Sequence, residues 1–421
     1  MRTRLLLGSA LLALVPGAGT RAQDAAQDAA QDGGTLRFTV AEYSSATGPY
    51  FEELATAFEA ANPGTDVQIE VVPWDVLLQK LTTDISGGVN ADMAIIGTRW
   101  LIDFVNEGIA APLGEQMSEE FRARFIPSLL EPGTIDGTLY GLPVAASARA
   151  MFYNRALLQE AGIAEPPGTW DEVRAAAEAV AALDGDAAGF GLQGKEIETD
   201  VYFYYALWSF GGDILDADGT SGLDSEAATQ AAELYKGMID DGLTQPGVTA
   251  MNREDVQNAF KQGQVAMMIT APFLANQIAE EAPDLDYGVA PVPAGPSGTS
   301  YTYGVTDSIV LFENSENKDL ALRFLEFAFE PEARARFTST EGFLPVTEAE
   351  AALPEFADDQ VLQVFTGLMG NAKFAPLIPG WEEIANITSS ALQRVYLGEE
   401  EPGASLGAAA AEIDGIVAQG R

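Results

Sequence analysis

The chain has 421 residues, with 63 Asp and Glu against 22 Lys and Arg, a net charge of −41, and neither histidine nor cysteine. That composition excludes Ser-His-Asp and Cys-His catalysis, disulfides, thiolate metal sites and the commonest transition-metal ligand, and it opposes nucleic-acid phosphates and anionic membrane surfaces. The length suits two or three domains or one two-lobed unit, and 47% hydrophobic residues are enough for a packed core.

Arg2 and Arg4 precede an apolar run, Leu5 to Val15, then Pro16-Gly17 and small residues up to Ala22. This reads as an export signal over 1–22, cleaved near Ala22; a bilayer span takes about 20 apolar residues. With no cysteine after it, a lipoprotein anchor is excluded, and a mature periplasmic protein without direct membrane insertion is expected. The acidic surface would suit a saline medium. Residues 23–34 repeat Ala, Gln and Asp with no large apolar side chain and read as a disordered tether.

From Thr35, Leu36 to Val40 alternates as a strand. Phe51, Leu54, Ala55 and Phe58 recur at helical spacing up to Asn62-Pro63-Gly64. A second strand, Val67 to Val72, leads into Trp74-Asp75 and a helix bearing Val76, Leu77 and Leu81; a third is Met93 to Ile96. Strand, helix, strand, helix, strand predicts an α/β fold with a parallel sheet, in which ligands gather at the carboxyl ends of the strands. Those ends are Tyr43-Ser44-Ser45, Trp74-Asp75 and Gly97-Thr98-Arg99-Trp100. The alternative is structural: Ser44 and Asp75 as helix caps, the tryptophans as cover for the sheet edge. Further on, Thr169-Trp170-Asp171-Glu172 has the spacing of a capping box.

Ala91 to Ile96, Tyr140-Gly141-Leu142-Pro143-Val144 running into Met151 to Leu158, and Pro166 to Val173 resemble the extracellular solute-binding proteins of family 1, the sugar-binding receptors of ATP-driven bacterial importers, which include the maltose-binding proteins. Gly211-Gly212-Asp213, Phe260 to Met268, Ala271-Pro272-Phe273, Tyr287-Gly288-Val289, Lys318 to Phe327 and Pro376 to Trp381 continue the resemblance in order over nearly the whole chain after Thr35. It implies a two-lobed periplasmic-binding-protein fold of type II with three hinge crossings, near Pro143–Ser147, Gly288–Pro293 and Phe329–Pro331. The lobes would be 35–144 with 294–330, and 145–293 with 331–421. It also implies capture of a carbohydrate by a monomer, delivery to the membrane permease subunits of an ABC importer, no catalysis and no cofactor.

A sugar presents apolar C–H faces and a ring of hydroxyls, so its site needs aromatic platforms and paired donors and acceptors. By the resemblance, Tyr43, Ser44, Ser45, Trp74, Thr98 and Trp100 would serve from the first lobe, with Arg99 beside them. Ser147 stands where many members carry an acidic contact, and Arg149 would offer a fork to a carboxylate-bearing sugar or form an inter-lobe salt bridge. In the aromatic stretch 201–210, Tyr205 and Trp208 share a helix face and would line the cleft. Phe273 would be the stacking residue, Tyr303-Gly304 would let backbone approach the ligand, and Trp381 would be a further platform. The rival readings are a receptor for a betaine-type osmolyte, polyamine or ferric iron, the last through Tyr202, Tyr204 and Tyr205, and a two-carboxylate glycoside hydrolase. Asp213, Asp216 and Asp218 read as an acidic turn rather than a metal loop.

Overall fold

The computed structural model describes residues 33–114, 116–195 and 198–419. The expected export signal and all but the end of the expected tether lie outside the described residues. Gly34, placed in that tether, already belongs to the fold: its carbonyl accepts the Asp66 amide at 2.9 Å.

The first unit runs β1 (Thr35–Glu42), α1 (Thr47–Ala61), β2 (Asp66–Pro73), α2 (Trp74–Gly87) and β3 (Met93–Gly97). Phe51, Leu54, Ala55 and Phe58 of α1 are buried, which gives the apolar stripe that packs the helix on the sheet. Residues Met93–Gly97 are all buried, as a central strand covered on both faces requires. After β4 (Gly141–Ser147) come β5 (Ala150–Asn154), α3 (Trp170–Ala181), β6 (Ala188–Gly191), α4 (Thr199–Ser209), α5 (Arg253–Lys261), β7 (Val265–Thr270), α6 (Phe273–Glu281) and β8 (Tyr287–Ala290). The chain then forms β9 (Thr302–Tyr303), β10 (Val305–Leu311), α7 (Lys318–Ala328), α8 (Pro331–Glu341), β11 (Ala372–Lys373), α9 (Trp381–Tyr396) and α10 (Pro402–Gln419).

Two sheets organise these elements. The first has the order β2-β1-β3-β10-β4; β1, β2 and β3 are parallel, and β10 runs antiparallel to both β3 and β4. The second has the order β8-β5-β7-β6, with only β6 and β7 parallel. Alternation along the strands divides the core: Phe152 and Met268 face one apolar cluster, Met151, Met267 and Ile269 the other.

The chain passes from the first sheet to the second through Ala148 and Arg149 alone. Residues 145–147 still pair with 305–307 in the first sheet, and Ala150 already pairs with Thr270 in the second. Between β8 and β10 the contacts stay with the second body longer than the family pattern implies: Ala294 bridges to Thr169, and Tyr303 lies in the second core cluster. Conversely α8 packs on the first body, where Phe337 meets Phe51 at 5.8 Å and Arg336 pairs with Glu53 at 2.6 Å. Apolar burial and cross-strand pairing decide these placements, and no local sequence signal reports them.

Helix α3 carries the capping box. Glu172 N donates to Thr169 Oγ1 at 3.3 Å and the Glu172 carboxylate accepts Thr169 N at 3.1 Å. Thr169→Ala is expected to lower the unfolding free energy by about 1 kcal/mol, read as a shift of the urea midpoint at unchanged slope.

Candidate functional site

The register of the first sheet brings the strand ends together. β1 and β2 pair in step from Thr35 with Asp66 to Glu42 with Pro73, so Tyr43 and Trp74 leave the sheet side by side. Gly97, the last residue of β3, pairs with Asp307 of β10, which puts Asp307 on the same edge. Tyr43 and Trp74 lie 5.6 Å apart between ring centroids and Trp74 and Trp100 5.8 Å apart, while the Tyr43 hydroxyl donates to Asp307 Oδ2 at 3.1 Å. Three strand ends and one antiparallel strand thus build an aromatic wall with a carboxylate beside it. Ser44 and Ser45 are exposed at its rim. Ser44 caps no helix; its hydroxyl accepts the Ala46 amide.

Thr98 is placed otherwise than expected. Its hydroxyl is buried between Ser308 at 2.7 Å and Thr306 at 3.0 Å, so it ties β3 to β10, and Arg99 and Trp100 reach outward from that edge instead. Trp100 Nε1 donates to Glu382 at 2.7 Å, and Arg99 forms an ion pair with the same carboxylate. Glu382 stands in the first turn of α9, a helix of the second body, so these contacts bridge the two bodies.

Arg149, in the passage between the two sheets, is 5% exposed. It donates to the Ser147 hydroxyl at 2.8 Å and pairs with Glu198 at 3.5 Å. The guanidinium is thus taken up by Glu198, and because both residues fall within the expected lobe 145–293 the pair is not the expected alternative, an inter-lobe salt bridge. Arg253 approaches both Glu198 oxygens at 3.1 and 3.0 Å, and its guanidinium lies 5.1 Å over the Phe273 ring. Phe273 therefore presents only one face to anything else. Glu198 adopts φ +84°, a left-handed conformation that a non-glycine residue holds only where its surroundings compensate the strain; here two guanidiniums hold its carboxylate. Its backbone amide donates to Asp200 Oδ1 at 2.9 Å, and Asp200 is 2% exposed.

These charges perturb one another. Burial pushes Asp200 up to about 7, against the pull of Arg99 and two backbone amides. Burial likewise raises Asp307 to about 7, although the Tyr43 hydroxyl, Arg99 and Arg149 oppose it. For Glu198, burial works upward, but Arg253, Arg149 and Arg99 together hold it below its ordinary value. Two acids at the seam are thus poised near neutrality, and a third is firmly ionised.

Five further expected ligand residues are buried or covered by protein in this structure. Tyr205 and Trp208 are buried with the whole of α4. Every residue of the helix is buried, so i, i+3 spacing by itself does not separate a cleft face from a core face; Asp200 and the Tyr205 hydroxyl lie in the field of the seam charges. Trp208 Nε1 donates to Asp213 at 3.0 Å and its ring stacks on Tyr303 at 5.7 Å; Tyr303 is buried too, with its hydroxyl in the field of Asp200, Arg99 and Arg149. Trp381 is 1% exposed and packs on Tyr204, leaving its neighbour Glu382 to face the seam. Gly304 does admit a close approach, but by the protein: a Cβ there would meet the Phe374 ring at 2.5 Å. The three tyrosines weighed for iron also diverge, Tyr202 donating to the Ile269 carbonyl and Tyr204 to Thr388. Among the described residues no group of acids is arranged to hold a metal ion.

Sequence reasoning missed Glu198, Asp200, Arg253, Asp307 and Glu382. Only the acidic first turns of α4 and α9 carried any signal, and that signal reads equally as helix-dipole compensation.

Residues 41–335 match the model of the bacterial extracellular solute-binding protein family. The chain belongs to that family. It is a solute-binding protein and not an enzyme, with the two-lobed α/β fold of type II periplasmic binding proteins. It is 60% identical to a Brucella abortus protein described only as a binding protein, over 98% of this chain and 97% of that one. It is 27% identical to the maltotriose-binding protein of Pyrococcus abyssi, over 78% of this chain and 70% of the other. Among solved structures, the GacH receptor of Streptomyces glaucescens, determined unliganded and with acarbose, superposes with a TM-score of 0.80 at 25% identity, covering 92% of this chain and all 100% of that one. The sugar-binding protein MalE of Xanthomonas citri matches at the same score and identity, over 92% and 98%. The family serves ABC importers and is extracellular; among the described residues no helix is long and apolar enough to cross a membrane.

Proposed function

We propose that this solute-binding protein captures a carbohydrate between its two bodies in the periplasm and delivers it, unchanged, to an ABC-importer permease. The observation that carries the reading is the wall of Tyr43, Trp74 and Trp100, gathered from three strand ends and set beside Asp307 and Arg99. Flat rings suit the C–H faces of a pyranose, and carboxylates and guanidiniums suit its hydroxyls. The names of the maltotriose-binding and acarbose-bound relatives support it. Tyr43, Trp74, Trp100, Arg99, Phe273 and Glu198 are the contacts we assign, with Ser44 and Ser45 at the rim.

Closure follows from the connectivity. Ala148–Arg149 is a two-residue passage between sheets, so a small dihedral change there swings one body against the other. Ligand would favour the closed arrangement only by contacts it makes better there, and Glu382, already bridged to Trp100 and Arg99, sets the geometry it must fit. The export signal over 1–22, a monomeric mature form and lobes exchanging near 148–149 and 304–305 complete the reading.

A thermal-shift and calorimetric screen of mono- and oligosaccharides, betaines, polyamines and ferric citrate tests it. A sugar at 100 times its dissociation constant should add about 2.7 kcal/mol to the unfolding free energy. Stabilisation by a non-sugar solute alone, or none by any sugar, would remove the carbohydrate assignment.

A further inference from the structure

The pairing of charges at the seam is uneven, and the unevenness bears on the ligand. It contains three guanidiniums, and each is already matched by a glutamate: Arg99 by Glu382, Arg149 by Glu198, and Arg253 by Glu198 and Glu254. The two aspartates have no such match. Asp200 and Asp307 form no ion pair with any described Lys or Arg; Asp200 accepts the Glu198 and Val201 amides, and Asp307 accepts the Tyr43 hydroxyl. They come from opposite bodies, one from the first turn of α4 and the other from β10, and both lie in the field of Arg99. Glu341, 8% exposed, adds a third carboxylate behind Tyr43, satisfied by the Thr47 hydroxyl at 2.7 Å. The charge left over at the seam is therefore negative.

A carboxylate withdrawn from water without an ion pair, as Asp200 is almost wholly and Asp307 in part, calls for a proton or a cation. Asp307 stands beside Tyr43, whose ring adjoins Trp74 and, through it, Trp100; aromatic faces attract cations. One further polar group is unspent. The Tyr205 hydroxyl is fully buried and has no hydrogen-bond partner among the described residues, and it lies in the field of Arg149 and Glu198.

Resting on the carbohydrate reading of this site, we propose that the preferred ligand is a sugar bearing a protonated amino group, whose ammonium is received between Asp307 and Asp200 against the Tyr43–Trp74 wall. A uronate would meet guanidiniums already paired and carboxylates already in excess. A neutral sugar would leave the aspartates without a counter-charge. An ammonium supplies it and adds charge-assisted hydrogen bonds.

The test is calorimetry on the full chain at pH 7.0 with glucosamine and its β-1,4 disaccharide, their N-acetylated forms, glucose, cellobiose, maltotriose and glucuronate. The free-amine sugars should bind at least about tenfold more tightly than their acetylated or neutral counterparts. Asp307→Asn and, independently, Asp200→Asn should reduce that ratio toward one, and circular dichroism identifies any variant that fails to fold. If acetylated and neutral sugars bind as tightly as the amines, or if both folded variants keep the full ratio, the proposal is overturned while the carbohydrate reading stands. If no sugar binds, both are overturned together.

Discussion

Arg334→Ala is expected to lower the unfolding free energy by about 3–5 kcal/mol, the largest loss for a single substitution outside the candidate ligand residues. Arg334 is 2% exposed and Glu350 fully buried. The guanidinium lies 5.0 Å over Phe329 and 4.9 Å over Phe337, donates to the Val144 carbonyl at 2.7 Å and faces Glu350 at 3.9 Å. Glu350 also accepts the Val346 amide at 3.1 Å and the Thr338 hydroxyl. Removing Arg334 alone leaves the Glu350 carboxyl in the core facing two neutral donors and no cation, whereas Arg334→Met with Glu350→Gln removes both partners together. The double variant should therefore lose less than the sum of Arg334→Met alone and Glu350→Gln alone, measured by urea titration of these three variants and the parent. Equal or greater loss in the double variant would show that the pair does not act as one unit. The effect reaches function through the backbone. Val144 and Ala146, whose carbonyls accept Arg334 and the Leu344 amide, lie on the strand that runs straight into the Ala148–Arg149 passage.

The sheet and its helices were legible because their signals are local. The alternation of Leu36 to Val40, the three- and four-residue spacing from Phe51 to Phe58 and the spacing of Thr169 and Glu172 each specify an element within one or two turns of chain. The strand-end aromatics were legible for one further reason: a parallel sheet brings the carboxyl ends of its strands to one edge whatever lies between them. The charges that complete the site had no such rule. Tyr43 meets Asp307 across 264 residues and Trp100 meets Glu382 across 282, and among 63 acids nothing local distinguishes the few that will be buried. Helix α4 misled for the opposite reason. Its aromatic density suggested a binding face, but every residue of it is buried, and aromatic spacing alone did not reveal that the Asp200 carboxyl of its first turn stands in the field of Arg99 and Glu198.

The unpaired aspartates also set a pH dependence with a definite sign. Asp200 and Asp307 titrate near 7 in the folded chain and near 3.8 when free, so between those values the folded state holds protons that the unfolded state has released. Their contribution to stability is complete below about 4 and fades as pH rises through 7. Taking the protein from pH 8 to pH 5.5 should then raise the unfolding free energy by about 2–4 kcal/mol from the pair. Glu198, held low by three guanidiniums, works the other way, but only as pH falls below the ordinary carboxylate range. Relief of repulsion among the many surface carboxylates adds a slope of the same sign, so the comparison that isolates the effect is the Asp200→Asn, Asp307→Asn double variant. Urea unfolding at the two pH values should show the difference clearly reduced in that variant; a variant as pH-sensitive as the parent would assign the slope to the surface instead. Because Asp200 and Asp307 lie at the seam, opening it returns them to water and lowers their affinity for protons. The same protons therefore bias the ligand-free protein toward closure in acid, and scattering curves at pH 5.5 and 8 should show the more compact particle at the lower pH.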